Sequence, residues 1–337
     1  MKNIKKVLLL WYMEDDNFGD VLICDTVSSY LQKNEYITES HEVGDCALKI
    51  IEHANQCDFL MFAGGGIIER YIPEIIREFD KSYNYLQVPY GIIGFGMGNF
   101  DYSNFYTAIS FWVNQAEFFY VRDEKTKEQL DRISKSSKVI FSADCVFGNT
   151  NIEQYAENID KALIKNKGAN FRDIPYKDLT GDFDWNEVNF ILQKIGCNTI
   201  IPDSSKEISQ IRINKKQLFM DQTQFYSPIE KAYITVNVIS KCEWIVAMRF
   251  HVILIAALLG IPSIPIMYCP KVRYLAEQLG IIDLALETYE YRNISEKINI
   301  LNNAREDYVI KIQKNMERMR KKAQIMFEEV IQYLDRI

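Results

Sequence analysis

The chain has 337 residues, 48% of them apolar and 25% charged, and carries a net charge of −7. This is the composition of a globular protein rather than a disordered or fibrous one, and the length suits two domains. The acidic balance denies it the basic footprint of a sequence-independent nucleic-acid binder, but a local basic pocket for an anionic small molecule stays open.

The chain opens "MKNIKKVLLLWYM". A basic start and an apolar run have the look of a leader, but the run from Val7 to Met13 is short. It has no small-residue cleavage site and is followed by Glu14, Asp15 and Asp16. It reads as a buried first strand. "NFGD" (Asn17 to Asp20) comes next, then the helical pattern "VLICDTVSSYLQKN". Gly19 there would let the backbone turn tightly, and Asp20 would cap the helix. The functional alternative for Asn17, Gly19 and Asp20 is contact with ligand hydroxyls or phosphate.

"CDFLMFAGGG" is a strand ending in Gly64, Gly65 and Gly66, whose bare amides could cradle an anion. No Lys-Ser/Thr follows, so it is not a Walker loop, and the later "GFGMG" is not G-x-G-x-x-G. "VRDEKT" places Arg122 at a strand end before a helix. Arg122 either pairs with Asp123 or Asp144 or grips a carboxylate or phosphate bidentately. "KVIFSADCVFG" closes the first set. Continuous apolar strands alternating with helices imply a parallel sheet covered on both faces, with ligands beyond the carboxyl ends of the strands.

The polar stretch 149–162 reads as a linker. A second alternating set follows, in which "NFRD" puts Arg172 at a strand end. We expect an N-terminal Rossmann-like domain over 1–150, a C-terminal one over 163–290 and a helical tail over 295–337. Together these make an α/β protein of two Rossmann-like domains with parallel sheets facing a cleft, the GT-B layout.

The most specific stretch is "AMRFHVILIAALLGIPSIPIMYCPK". Val252 to Cys269 carry no charge, yet Gly260, Pro262 and Pro265 interrupt the run. Proline inside a helix costs about 3 kcal/mol, so a membrane span is rejected for a buried helix, a glycine stop and a buried strand. Arg249 and His251 then stand where a strand meets a helix N-terminus, a place that favours anions. The other two histidines, His41 and His53, lie among charged residues and read as solvated surface. The seven cysteines are odd in number, scattered and without a C-x-x-C pair. They read as reduced thiols of a cytoplasmic protein, neither a disulfide framework nor a zinc site.

"NFGD", "GGG", "GFGMG", "VRDEKT", "SADCVF", "MRFH" and "PKVRYLAEQLGI" come in the order found in the polysaccharide pyruvyl transferases. The resemblance runs from Val7 to Ile281. Its distinctive part is Arg-apolar-His followed by a lysine, Lys271, 20 residues after His251 (271 − 251). Phe250 stands where the family commonly has leucine. The resemblance implies transfer of a pyruvyl group from phosphoenolpyruvate to two hydroxyls of a sugar, giving a ketal and phosphate. The acceptor would be a precursor of a capsule, exopolysaccharide or cell-wall polymer, lipid-linked in some members, met at the inner face of the membrane.

No metal or cofactor is implied. By motif match Arg122, His251 and Lys271 take the functional positions. Arg249 and Phe250 flank the donor in the C-terminal domain, Arg172 is carried over with them, and the acceptor falls to the N-terminal domain. Two or three cationic groups and a helix N-terminus suit the carboxylate and phosphate of the donor. His251 would protonate the methylene carbon, and a bound multiply charged anion would favour its imidazolium form. Asp20 and Asp144 are the candidate bases for the sugar hydroxyls. A nucleotide-sugar glycosyltransferase and a non-catalytic sugar-binding protein are the competing readings.

Overall fold

The fold is taken from a computed structural model that describes residues 5–11, 17–42, 45–65, 81–98, 102–152, 166–171, 184–201 and 227–337. Gly66 and Arg172 lie outside the described residues. The chain groups into two units. The first is Met1–Glu14, Asp20–Gly148 and Met319–Ile337; the second is Asp15–Gly19 and Asn149–Arg318.

Strands β1 (Lys6–Trp11), β3 (Phe59–Gly65) and β4 (Tyr90–Phe95) are almost wholly buried. That is why they read as unbroken apolar runs rather than alternating ones. With β2 (Ile37–Glu42), β5 (Phe119–Val121) and β6 (Val139–Phe141) they form a parallel six-stranded sheet in the order β2-β1-β3-β4-β5-β6. The connecting helices are α1 (Phe18–Lys33), α2 (Ala47–Ala54), α3 (Tyr106–Gln115) and α4 (Glu124–Ser134). Trp112 of α3 anchors the core, edge-on to Phe62, Phe95 and Phe119 with ring centroids 5.0–5.6 Å apart. Strands β2 and β3 leave β1 on opposite sides. The loops after β1 and β3 therefore part at the carboxyl edge, where parallel sheets take ligands.

The second sheet repeats the plan in the order β11-β10-β9-β7-β8 and is again parallel throughout. Its strands are β7 (Asn166–Asn170), β8 (Thr199–Ile200), β9 (Cys242–Ala247), β10 (Ser263–Met267) and β11 (Leu286–Glu287). The order reverses between β7 and β9, so Asn170-Phe171 at the end of β7 and "MRFH" after β9 flank the switch point of the second sheet. Helices α5 (Trp185–Lys194), α6 (Pro228–Ser240), α7 (Phe250–Leu258) and α8 (Pro270–Leu279) belong to this unit, as does α9 (Ile294–Asn303).

The uncharged run divides as its breakers dictate. All nine residues of α7 are buried, as an all-round apolar helix must be. Gly260, at φ +70°, ends it in a left-handed conformation that glycine adopts without strain, and β10 follows. Each fully buried Ile or Leu of this helix contributes about 1.5–3 kcal/mol. Among the described residues no helix is long and apolar enough to cross a membrane.

The last helix, α10 (Arg305–Leu334), begins in the second unit and ends in the first. In the first unit Phe327 stacks on Tyr30 at 4.5 Å, and the Tyr120 and Tyr36 hydroxyls donate to Glu329 and Asp335. The tail is thus a packing helix. All seven cysteines are free, and burial pushes the thiols of Cys24, Cys197 and Cys242 up to about 12.

Candidate active site

At the carboxyl edge of the second sheet one side chain ties three strand ends together. Asn170, 1% exposed at the end of β7, accepts a hydrogen bond on Oδ1 from the Arg249 amide at 3.0 Å. Its Nδ2 donates to the Ile201 carbonyl at 2.9 Å, and its own carbonyl accepts from the Met248 amide at 3.0 Å. This fixes the turn from β9 into α7. Arg249 is the residue preceding the helix, in extended conformation, and offers no side-chain cap. A helix start of this kind favours an anion.

His251 lies in that first turn and is 8% exposed. Phe250 meets its ring edge-on, with centroids 5.1 Å apart. On its other side lies Gly19, which groups with the same unit. A Cβ at position 19 would stand 1.9 Å from His251 Nδ1 and 2.3 Å from Cγ. The "NFGD" and "MRFH" motifs are therefore one feature, the glycine backbone forming a wall of the imidazole. This corrects the expected reason for the glycine: residue 19 is helical and needs no positive φ, only the missing side chain. The cap is also reassigned. Asn17 Oδ1 accepts from the Gly19 amide at 3.1 Å, while Asp20 sits inside the first turn of α1. With Nδ1 walled in by Gly19, Nε2 is the ring nitrogen turned away from that backbone.

Lys271 is the second residue of α8, half-buried, after the neighbouring strand β10. Helices α7 and α8 both lack an acidic residue in the first turn; Arg249 immediately precedes α7, and Lys271 lies in the first turn of α8. Helix dipoles disfavour that arrangement. Helices α4, α5 and α6 carry Glu124, Glu187 and Glu230 in the first turn, while α2 and α3, like α7 and α8, carry no first-turn acid. Two adjacent helix N-termini bearing Arg249, His251 and Lys271 are an arrangement suited to a multiply charged anion.

In the first unit, Asp20 lies against Gly65, where a Cβ would come within 2.8 Å of Asp20 Oδ1. Gly64 and Gly65, at φ +56° and +84°, close β3 in a conformation that side chains rarely adopt. Arg122 is 3% exposed and donates from Nη1 to Asp144 Oδ2 at 3.1 Å; Asp144, 1% exposed, also accepts from the Val146 amide. Gly96 of "GFGMG" packs on the guanidinium, where a Cβ would lie 2.4 Å from Nε. Asp123 instead caps α4 through the Thr126 amide. The pair that joins Arg122 is thus Asp144. Removing one partner of such a buried pair leaves an uncompensated charge, at about 3–5 kcal/mol.

The structure thus brings His251, Phe250, Arg249, Gly19 and Asn17 to one feature of the second unit, with Lys271 at the next strand end. It brings Asp20 to Gly65 in the first unit and commits Asp144 to Arg122. Sequence reasoning missed Asn170 and Gly96. Asn170 was in view as the first letter of "NFRD", and an asparagine at the carboxyl end of a strand was the signal.

Two parallel-sheet units of matching topology, each with its polar motifs at the carboxyl edge of its strands, define a two-domain α/β fold of the GT-B layout. The chain matches the family model for polysaccharide pyruvyl transferase over residues 17–270 and belongs to that family. Solved structures share the fold at low identity. One is a Listeria monocytogenes protein described as a UDP-N-acetylglucosamine 2-epimerase, with TM-score 0.61, 13% identity, and 99% of this chain and 98% of that one covered. Another is an α-glucosyltransferase in complex with UDP and a 13-mer DNA (0.56, 11%, 98% and 99%). A third is the Neisseria meningitidis UDP-GlcNAc 2-epimerase (0.53, 13%, 97% and 100%). At these identities the likeness is one of fold alone. Among curated proteins none matches the chain.

Proposed function

We propose that the protein transfers a pyruvyl group from phosphoenolpyruvate to two hydroxyls of one sugar, forming a cyclic ketal and releasing phosphate. The observation that supports this reading is the placement of Arg249, His251 and Lys271 at the starts of helices that follow the paired strands β9 and β10. Phosphoenolpyruvate offers a carboxylate and a phosphate to such a set.

His251 gives its proton to the methylene carbon, which becomes the methyl group, and C2 becomes oxocarbenium-like. One sugar hydroxyl adds to C2 and gives up its proton. The second adds as the bond from C2 to the phosphate oxygen breaks. One hydroxyl proton restores His251 and the other leaves with phosphate. Lys271 and Arg249 stabilise the departing dianion. Asp20, the residue after Gly19, is the carboxylate we assign to the acceptor hydroxyl, because Asp144 is held by Arg122. The chemistry asks for no metal or cofactor. The acceptor is a cell-surface polysaccharide or its lipid-linked precursor.

The donor is tested by thermal unfolding with phosphoenolpyruvate and with a panel of nucleotide sugars. A ligand at about 100 times its Kd stabilises by about 2.7 kcal/mol, and phosphoenolpyruvate is expected to raise the melting temperature by several degrees. The Arg249→Ala and Lys271→Ala proteins should lose that shift. A rise with nucleotide sugar alone would move the protein to the glycosyltransferases whose fold it shares.

A further inference from the structure

The last helix, α10, has two faces of different character. Ile312, Met316, Met319, Ala323 and Met326 are buried against the protein. The opposite face carries Ile310, Lys314, Arg318, Lys321 and Ile325, all exposed. Their steps of four, four, three and four residues hold them to one stripe of an unbroken helix. At a rise of about 1.5 Å per residue the stripe is about 22 Å long.

The charge of this stretch runs against that of the chain. Residues 311–322 hold six cations (Lys311, Lys314, Arg318, Arg320, Lys321, Lys322) and one acid, Glu317, a local charge of +5 (6 − 1) in a chain of net −7. Acids resume on either side, with Glu306 and Asp307 before and Glu328 and Glu329 after, so the positive charge is confined to the stripe. Three of the cations are engaged or partly covered: Lys311 pairs with Asp283, Lys322 lies over the Phe141 ring at 3.5 Å, and Arg320 is half-buried. Lys314, Arg318 and Lys321 make no ion pair among the described residues, although Glu317 lies beside them.

Three cations in a line suit anions spread along a surface, not one small ligand in a pocket. The isoleucines at the two ends decide which surface. Ile310 is 63% exposed and Ile325 44%. The phosphates of a nucleic acid have no use for them, whereas a lipid interface takes apolar side chains between its headgroups. We propose that this face of α10 docks on an anionic lipid membrane. The helix lies flat, with Lys314, Arg318 and Lys321 at the headgroup phosphates and the two isoleucines entering the interface. Its other face stays in the fold, so the contact is peripheral and reversible. None of the residues assigned to pyruvyl transfer takes part, and the surface stands or falls independently of the donor.

The test is co-sedimentation of the tag-free protein with vesicles of phosphatidylcholine alone and of phosphatidylcholine mixed with phosphatidylglycerol. The protein should pellet with the mixed vesicles only and come off as salt is raised, because the attraction is screened. Replacing any one of the three cations with alanine should weaken partitioning about 5-fold. Lys314→Glu/Arg318→Glu/Lys321→Glu should abolish it, and Ile310→Ser/Ile325→Ser should weaken it several-fold at unchanged charge. The melting temperature shows whether each variant is folded, and the glutamine triple serves if the glutamate one is not. Binding that survives the triple variant, equal binding to neutral vesicles, or none to the mixed vesicles at low salt would overturn the proposal. Duplex DNA bound at the same salt would give the stripe to polyanions in general and overturn it as well.

Discussion

Replacing His251 with alanine should lower phosphate release from phosphoenolpyruvate by about 10²–10⁴-fold, the usual contribution of a positioned general acid. The effect should fall on kcat and kcat/KM alike. In the proposed mechanism proton transfer to carbon belongs to the transition state, while donor binding is assigned to Arg249, Lys271 and the start of α7. The variant should remain folded. Position 251 is in the first turn of α7, alanine is a better helix former than histidine, and the Asn170 tether to the Arg249 amide is untouched. Near-wild-type turnover in a folded His251→Ala protein would remove the acid from the mechanism.

Gly19→Ala should be almost as damaging from a residue without a side chain. A methyl group 1.9 Å from Nδ1 and 2.7 Å from Cβ of His251 cannot be absorbed by a flexible side-chain end, because it meets the ring and its root. Either the imidazole leaves its place or the backbone does. Overpacking of this kind costs about 1–3 kcal/mol, sometimes more, and 1 kcal/mol lowers the melting temperature by about 2–4 °C in a domain of 150–250 residues. The double variant Gly19→Ala/His251→Ala separates the causes. Removing the ring makes room for the methyl, so the double variant should be more stable than Gly19→Ala alone, with a coupling of about 0.5–3 kcal/mol. Additive losses would mean that Gly19 and the imidazole do not share that space.

The elements were legible wherever local chemistry agreed with the fold. Ser227-Pro228 with Glu230 three residues after the serine is a local signal for the start of α6, and both arms of that capping box are formed. Gly260, Pro262 and Pro265 divided the uncharged run correctly because breakers act locally. The carboxyl-edge motifs followed from the parallel sheet they belong to. What the sequence could not disclose was which distant residues meet.

"NFGD" read as a turn and a cap because those are the local uses of glycine and aspartate. The closeness of Gly19 to His251, 232 residues later (251 − 19), exists only in the folded unit. Arg122 had two acids within reach in sequence terms, and the fold chose Asp144 because Asp123 is occupied capping α4. His41 and His53 looked solvated because their neighbours are charged. Those same charges, Asp45 and Glu39, bond the Nε2 atoms of two rings whose Nδ1 atoms meet at 2.9 Å.

The central claim, that this enzyme makes a pyruvate ketal, is tested most directly by the mass of its product. Incubation with phosphoenolpyruvate and a panel of sugar acceptors should release one phosphate per turnover. It should also yield an acceptor heavier by one pyruvate less one water, as ketal formation across two hydroxyls requires. Phosphate release with an acceptor of unchanged mass, or a gain of a whole sugar from a nucleotide-sugar donor, would contradict it.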